Sequence, residues 1–412
     1  MLYKEIDENS LVVGKTCCKK IQEIRNLLKE EEELIITELD TICWIFNLRG
    51  SDISYNPVFY AYASITQKDI KLFINTKLYI SDEVTICKYD SFEQYIRNID
   101  KNVVISGTCN AFIDSLIINK RYTSEIRDLQ SIKTKEQLEG FNLAYILDGI
   151  ALCKLFKYIE NNIYKNITEL EISNMLLKIK SNFYGFKFPS FESIIGYQKN
   201  SAIVHYSAGD EIINDGVILL DIGSNYIFGT TDTSRTLFLG TPTKEFKKYY
   251  TLILKGQLRV LKQIYSIDTN GCILDFLTRL DLYNNKQNYG HASGHGVGHF
   301  LCVHENPPTL STQFNQNLKI NQVFSVEPGI YFENKWGIRL ENLVFTEAID
   351  ENFMKLKNLT YVPYQLNLID INMLDKDEIT FLNLLNEEIY DKLINFVECK
   401  EYLQINTKHI KF

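Results

Sequence analysis

Apolar and polar positions divide the chain into two kinds of pattern. In the first third, apolar residues come in short runs: Phe59 to Ile65, Ile70 to Ile74, Val84 to Cys87 and Val103 to Ile105. Runs of this length and alternation, separated by polar residues, predict strands. Ahead of them, residues 15–35 read as a helix ending in the acidic run Glu30 to Glu33. Leu34 to Phe46 reads as an apolar segment with a turn signal at Asp40. A mixed α/β domain is expected over residues 1–125, with the polar stretch Thr123 to Lys135 as a linker. Beyond it the period lengthens. Leu138, Phe141, Tyr145, Leu152, Phe156 and Ile159 recur at helical spacing behind the capping box Thr134-Lys135-Glu136-Gln137. A second capping box, Thr168-Glu169-Leu170-Glu171, opens another helix. A hairpin over Val217 to Leu239 is predicted to turn at Gly223-Ser224-Asn225. Two more helices come next, about Lys244 to Tyr265 and Ile273 to Tyr283, then strands over His291 to His304 and Val323 to Thr346. Helices leading into strands thus occur twice within residues 126–412, which predicts a sheet packed on helices with a site between two halves.

A length of 412 residues suits two to three domains. The net charge of -8 argues against a nucleic-acid-binding surface, because phosphate contacts need Lys and Arg in excess. No run approaches the roughly 18 apolar residues of a membrane-spanning helix. Met1 to Ser10 has no apolar core of a secretory signal, so none is expected. The 9 cysteines are odd in number and include no C-x-x-C pair, which reads as reduced thiols in the cytoplasm.

The histidines change the picture. Of 6, five (His205, His291, His295, His299 and His304) lie between residues 205 and 304; His409 stands in the tail without an assigned role. The glycines around His295 let the backbone approach something closely, and in a strand His291, His295 and His299 would share one face. Carboxylates recur in apolar settings: Asp221 and Asp232 in the hairpin, Glu327 and Glu341 in apolar strands further on. Singly, each reads as structural, with Asp232 capping a turn and Asp221 ending a strand. Together, Asp221, Asp232, His295, Glu327 and Glu341 form an oxygen-rich donor set carrying four negative charges. Two divalent ions would neutralise it, with Mn²⁺, Co²⁺ or Zn²⁺ suiting it better than a closed thiolate zinc site would. Two such ions about 3.5–4 Å apart can share one hydroxide and aim it at a carbonyl.

These segments resemble the Xaa-Pro aminopeptidase (aminopeptidase P) family. The resemblance rests on Asn200 to Tyr206, Leu220-Asp221-Ile222-Gly223, Gly229 to Thr236, His291 to Pro307, Val326-Glu327-Pro328-Gly329 and Gly337 to Asn342. It is closest to the eukaryotic cytosolic branch, through Trp44 to Asp52, Tyr55 to Phe59 and Leu359 to Pro363, and it covers about residues 15 to 400. It implies an α/β (α+β) protein: a creatinase-like mixed α/β domain over 1–125 and a pita-bread catalytic domain over 126–412 with a C-terminal extension. It implies two divalent metal ions, most simply Mn²⁺, held by Asp221, Asp232, His295, Glu327 and Glu341. Asp232 and Glu341 would bridge the ions, and Glu327 would also serve as general base. His205 and His304 would stabilise the oxyanion or pass a proton to the leaving nitrogen. His291 would line the pocket for the proline ring, Arg339 would support a ligand carboxylate, and His299 would be structural. The implied substrates are peptides with proline at position two. The implied protein is a cytoplasmic homodimer, joined through its C-terminal domain, that binds neither nucleic acid nor membrane.

The pattern departs from the family at Ala292 and Ser293, at Ile222, and at Asn306 in Val303-His304-Glu305-Asn306-Pro307, so loop shape near the substrate is expected to differ. The family's cytosolic branch has three domains and the resemblance starts at the second, so the first is expected to be lacking. The alternatives are a prolidase acting on X-Pro dipeptides, which shares the ligand set, and a non-catalytic pita-bread binding module. Retention of all five ligand positions and three accessory histidines argues against the latter.

Overall fold

A computed structural model describes residues 14–76 and 78–411, together with the backbone of Tyr3–Lys4. The rest of Met1 to Ser10, on which the expectation about a secretory signal rests, lies outside the described residues. By its own contacts the chain forms two compact units, Met1–Gln137 and Leu138–Phe412.

The first unit is built on a six-stranded mixed sheet in the order Val84–Cys87, Ile70–Phe73, Tyr62–Ile65, Glu32–Ile36, Asn102–Ser106, Lys120–Thr123. The strands fall where the short apolar runs predict them. The helix expected over 15–35 ends at Arg25 instead, and the acidic run leads into the strand Glu32–Ile36. Polar partners explain how a strand accommodates it. Arg121 makes two bonds to the Glu32 carboxylate, at 2.7 and 2.9 Å, and holds its pKa down to about 2. Ser64 Oγ donates to Glu33 at 2.5 Å. The turn signal at Asp40 proves to be the first turn of a helix, Leu39–Phe46. The expected linker holds the helix Glu125–Ser131, whose Arg127 and Gln130 donate to the Asp40 carboxylate at 2.6 and 3.2 Å.

In the second unit the predicted doubling of helix, helix and strands is present. The helices Lys135–Asn162 and Glu169–Lys180 precede a four-stranded sheet containing the long hairpin Gly216–Tyr226 and Gly229–Leu239. The helices Lys244–Lys262 and Gly271–Asn284 precede a six-stranded sheet. Its order is Ile264–Ser266, Phe353–Asn358, Asn342–Ala348, Val323–Val326, Gly294–Gly296, Glu305–Leu310. Thr168 and Glu171 form the capping box that the sequence shows. Phe141, Tyr145, Leu152, Phe156 and Ile159 of the first helix are buried in one apolar cluster with Ile218, Leu220 and Ile222 of the hairpin. Each such side chain contributes on the order of 1.5–3 kcal/mol.

The hairpin turns at Ile227–Phe228, not at Gly223-Ser224-Asn225. Gly223 is a mid-strand residue paired with Asp232. It is glycine for want of room: a Cβ there would lie 2.0 Å from Ser190 Oγ and 2.3 Å from the Thr231 carbonyl. The register also sorts the polar residues of the hairpin between its two faces. Residues directly opposite share a face of a hairpin, so Asp221 (paired with Ser234) and Asp232 (paired with Gly223) face the same way as diagonal neighbours. Ser224, Tyr226 and Thr231 face the other way.

Candidate metal centre

Asp221 and Asp232 are diagonal neighbours on one face of the hairpin, close enough for long side chains to interact, and the second sheet supplies what lies between and beside them. His295 sits in the short strand Gly294–Gly296. Gly294 allows that strand to lie close to its neighbour, since a Cβ would meet the Ser325 carbonyl at 1.9 Å. The His295 N–H donates to Ser325 Oγ at 3.0 Å, and Ser325 Oγ donates to Glu327 Oε1 at 3.1 Å. Glu327 and Glu341 lie just past strand ends rather than within strands, beyond Val326 and Arg339 respectively. Each is pinned by its backbone, Glu327 N–H to the Ser293 carbonyl at 2.9 Å and Glu341 N–H to the Ser234 carbonyl at 3.0 Å.

The donors converge. Asp232, His295 and Glu341 each present a ligand atom, all within 4.8 Å of one another. His295 Nε2 stands 3.4 Å from both Asp232 Oδ2 and Glu327 Oε1. Asp221 Oδ2 accepts from Arg339 at 2.6 Å, while its Oδ1 is buried without a hydrogen-bond partner among the described residues. Burial pushes the carboxyls of Asp232 and Glu341 well above their ordinary range. For Asp232 the charges of Asp221 and Glu327 add to this, and for Glu341 those of Asp232 and Glu327. Four carboxylates packed this closely call for positive charge, and Arg339 is the one guanidinium with a hydrogen bond to any of them among the described residues. An orphaned carboxylate oxygen, two carboxyls disfavoured as anions and an imidazole among them fit a hard divalent cation.

A cleft of about 490 Å³ brings together His205, Asp221, Asp232, His291, His295, His304, Glu327, Arg339 and Glu341, with Phe191, Ile194, Val204, Val303 and Phe314 as apolar lining. All nine residues singled out in the sequence are in that lining. The strand expected to align three histidines does not exist at that length. Only His295 lies in it, and His299 is buried 5.4 Å from the Phe141 ring, edge-on to it. His291 bonds through Nε2 to the Tyr331 hydroxyl at 2.9 Å, and burial lowers its pKa. His304 stands with its ring 4.2 Å from that of His295. It opens onto the cleft, yet the surrounding walls desolvate it, and that, with the His295 charge, pushes its pKa down to about 4. His409 pairs with Glu387 at 2.7 Å.

Several supporting residues carry no signal in the sequence. The Tyr145 hydroxyl donates to the Asp232 carbonyl and accepts from its N–H, both at 2.8 Å; by spacing it reads only as core. Tyr331 joins His291 to Arg339, whose NH1 donates to its hydroxyl at 2.8 Å. Ser234 takes a bond from Arg339 Nε at 3.0 Å and gives one to Glu341 Oε2 at 2.9 Å.

Metallopeptidase family M24 matches residues 141–348, the creatinase/prolidase N-terminal domain residues 8–137, and the C-terminal region of peptidase M24 residues 352–410. A Laccaria bicolor protein named "Probable Xaa-Pro aminopeptidase P" is 33% identical over 92% of this chain and 65% of its own length. The chain thus spans about two thirds of that relative. The crystal structure of the X-prolyl aminopeptidase from Caenorhabditis elegans, described as a cytosolic enzyme with a di-nuclear active site, superposes with a TM-score of 0.93. It is 29% identical, over 98% of this chain and 72% of that one. The Pyrococcus horikoshii prolidase shares the fold at a TM-score of 0.68 and 24% identity, over 85% of this chain and 99% of its own. The second unit therefore has the pita-bread fold, and the chain belongs to metallopeptidase family M24.

Proposed function

We propose that this protein is a metal-dependent Xaa-Pro aminopeptidase, hydrolysing the first peptide bond of peptides whose second residue is proline. The observation that carries the reading is the convergence of Asp221, Asp232, His295, Glu327 and Glu341 in one cleft with His205, His291 and His304. When bound, two divalent cations would supply Lewis-acid polarisation of the scissile carbonyl and a hydroxide at neutral pH. The five donors would hold them, with Asp232 and Glu341 shared, and Mn²⁺ is the proposed ion, ahead of Co²⁺ and Zn²⁺.

The remaining residues have work of their own. Glu327 reaches the cleft and can take the proton of the attacking water. His304 is a neutral imidazole at pH 7, because its pKa lies near 4; added cations would lower it further. It is thus fitted to donate a hydrogen bond to a developing oxyanion rather than to act as an acid. His205, exposed on the cleft wall, has water access and suits proton transfer to the prolyl nitrogen. His291, held by Tyr331, forms with the apolar lining a wall against which a pyrrolidine ring can pack. The reading extends to a cytoplasmic homodimer, which the family resemblance supports.

Protein loaded with Mn²⁺ should release the first residue of an Arg-Pro-Pro tripeptide and leave Arg-Ala-Pro intact. Dialysis against a chelator should abolish the release and returned Mn²⁺ should restore it. Cleavage of X-Pro dipeptides alone would move the assignment to a prolidase, and no hydrolysis with any divalent ion bound would sink the enzyme reading. Arg339→Met removes the cation that orients Asp221. Metal content after dialysis should show affinity weakened by about 10- to 100-fold.

A further inference from the structure

Glu169 lies outside the donor cluster, in the first turn of the helix Glu169–Lys180, and is fully buried. Four donors converge on its carboxylate. The Tyr197 N–H and Asn200 Nδ2 bond to Oε1 at 2.7 and 3.0 Å. The Tyr206 hydroxyl and the Gly209 N–H bond to Oε2 at 2.7 and 3.1 Å. Asn200 Nδ2 also donates to the Tyr206 hydroxyl at 2.9 Å. All four partners belong to residues 197–209, the stretch that carries His205 between Asn200 and Tyr206. Backbone bonds tie its far end to the same helix, from Leu170 N–H to the Gly209 carbonyl at 2.9 Å and from Glu169 N–H to the Glu211 carbonyl at 3.2 Å. His205 itself is exposed, and its imidazole makes no hydrogen bond among the described residues. The position of the ring is therefore set by the backbone on either side of it, and that backbone converges on one buried side chain.

We propose that Glu169 is a positioning residue for the reaction: it anchors residues 197–209 and so fixes where His205 meets the substrate. The inference rests on the role given to His205 in the proposed function. Only an ionised carboxylate serves four donors, since it accepts at both oxygens and donates from neither. An amide of the same shape would turn an N–H₂ against two of them.

The test compares Glu169→Gln, His205→Ala and the double variant, Mn²⁺-loaded, on Arg-Pro-Pro, with kcat and KM determined separately. Metal content and amide exchange over residues 197–209 are measured alongside. His205→Ala should lower kcat by about 10²-fold. Glu169→Gln should lower it by about 10- to 100-fold, the cost of an ångström-scale misplacement, with metal content unchanged and faster exchange near Tyr206 to Gly209. The double variant should be little worse than His205→Ala alone, because both changes remove the same contribution. Tyr206→Phe, which deletes one donor and keeps the ring, should show the same non-additivity with a smaller loss if Glu169→Gln does not fold. Losses that multiply, or an unchanged kcat in Glu169→Gln, would overturn the inference while leaving the role of His205 intact. An unchanged kcat in His205→Ala would overturn that role and the inference with it.

Discussion

Replacing Glu327 by alanine is expected to stop turnover while leaving the fold as stable as before, or more so. The side chain reaches the cleft and is held there by Ser325 Oγ at 3.1 Å, with His295 Nε2 at 3.4 Å and His291 Nδ1 at 3.9 Å. In the proposed reaction it serves both as a metal donor and as the group that takes the proton of the attacking water, so its loss removes two contributions together. A fall in kcat of at least about 10³-fold on Arg-Pro-Pro is expected. Stability moves the other way for an electrostatic reason. The Glu327 charge is among those that push the carboxyls of Asp232 and Glu341 upward. Deleting it relieves repulsion in a buried cluster, the usual opposition between a strained site and a stable one. The measurements are kcat with Mn²⁺ and the urea midpoint of the metal-free protein. A variant that keeps its rate would refute the assignment of Glu327. A variant that loses rate only because it unfolds would show the side chain to be a structural one.

The candidate site residues were legible in the sequence because Asp221 and Glu341 interrupt apolar runs, because four of the 6 histidines crowd into residues 291–304, and because the segments holding Asp232 and Glu327 resemble a known family. Their supports were not. Tyr145 stands 87 residues from Asp232, and Ser234 stands 107 from Glu341. A hydroxyl that packs as an apolar ring and bonds at its tip leaves no mark on hydrophobic periodicity. The misplaced hairpin turn has a related cause. Gly223-Ser224-Asn225 has the composition of a turn, but Gly223 answers to close approach by Ser190 and the Thr231 carbonyl, while Ser224 and Thr231 serve a buried charge. Local composition cannot distinguish a glycine that bends the chain from one that lets another segment come near. The helix expected over residues 15–35 fails similarly: nothing local marks its acidic end as the start of a strand, because Arg121, Ser64 and Tyr95, which meet it, are distant in sequence.

That buried charge is where the largest loss of stability is expected. On the face of the hairpin opposite Asp221 and Asp232, Asp148 of the long helix and Lys180 at the end of the next one form an ion pair at 3.1 Å, both fully enclosed. Asp148 Oδ1 accepts from Ser224 Oγ at 3.0 Å and from the Tyr226 hydroxyl at 2.8 Å, Thr231 donates to Oδ2, and Lys180 donates to Ser224 Oγ at 2.7 Å. The network therefore fastens both strands of the hairpin to two helices. Burial lowers the pKa of Lys180, and the Asp148 charge opposes that shift. Asp148→Ala would leave the ammonium with Ser224 alone and three hydroxyls without their acceptor. Removing one member of a buried pair costs about 3–5 kcal/mol, to be read from the urea midpoint. Asp148→Ala with Lys180→Met should recover a large part of that loss, because two apolar side chains leave no charge unpaired. Full stability in Asp148→Ala would mean that the hairpin is held by its apolar contacts alone. A double variant as unstable as the single one would mean that the hydroxyls, rather than the ammonium, bear the cost. Because the same two strands carry Asp221 and Asp232 on their other face, a hairpin loosened by Asp148→Ala should also retain less metal, and the double variant should restore retention along with stability.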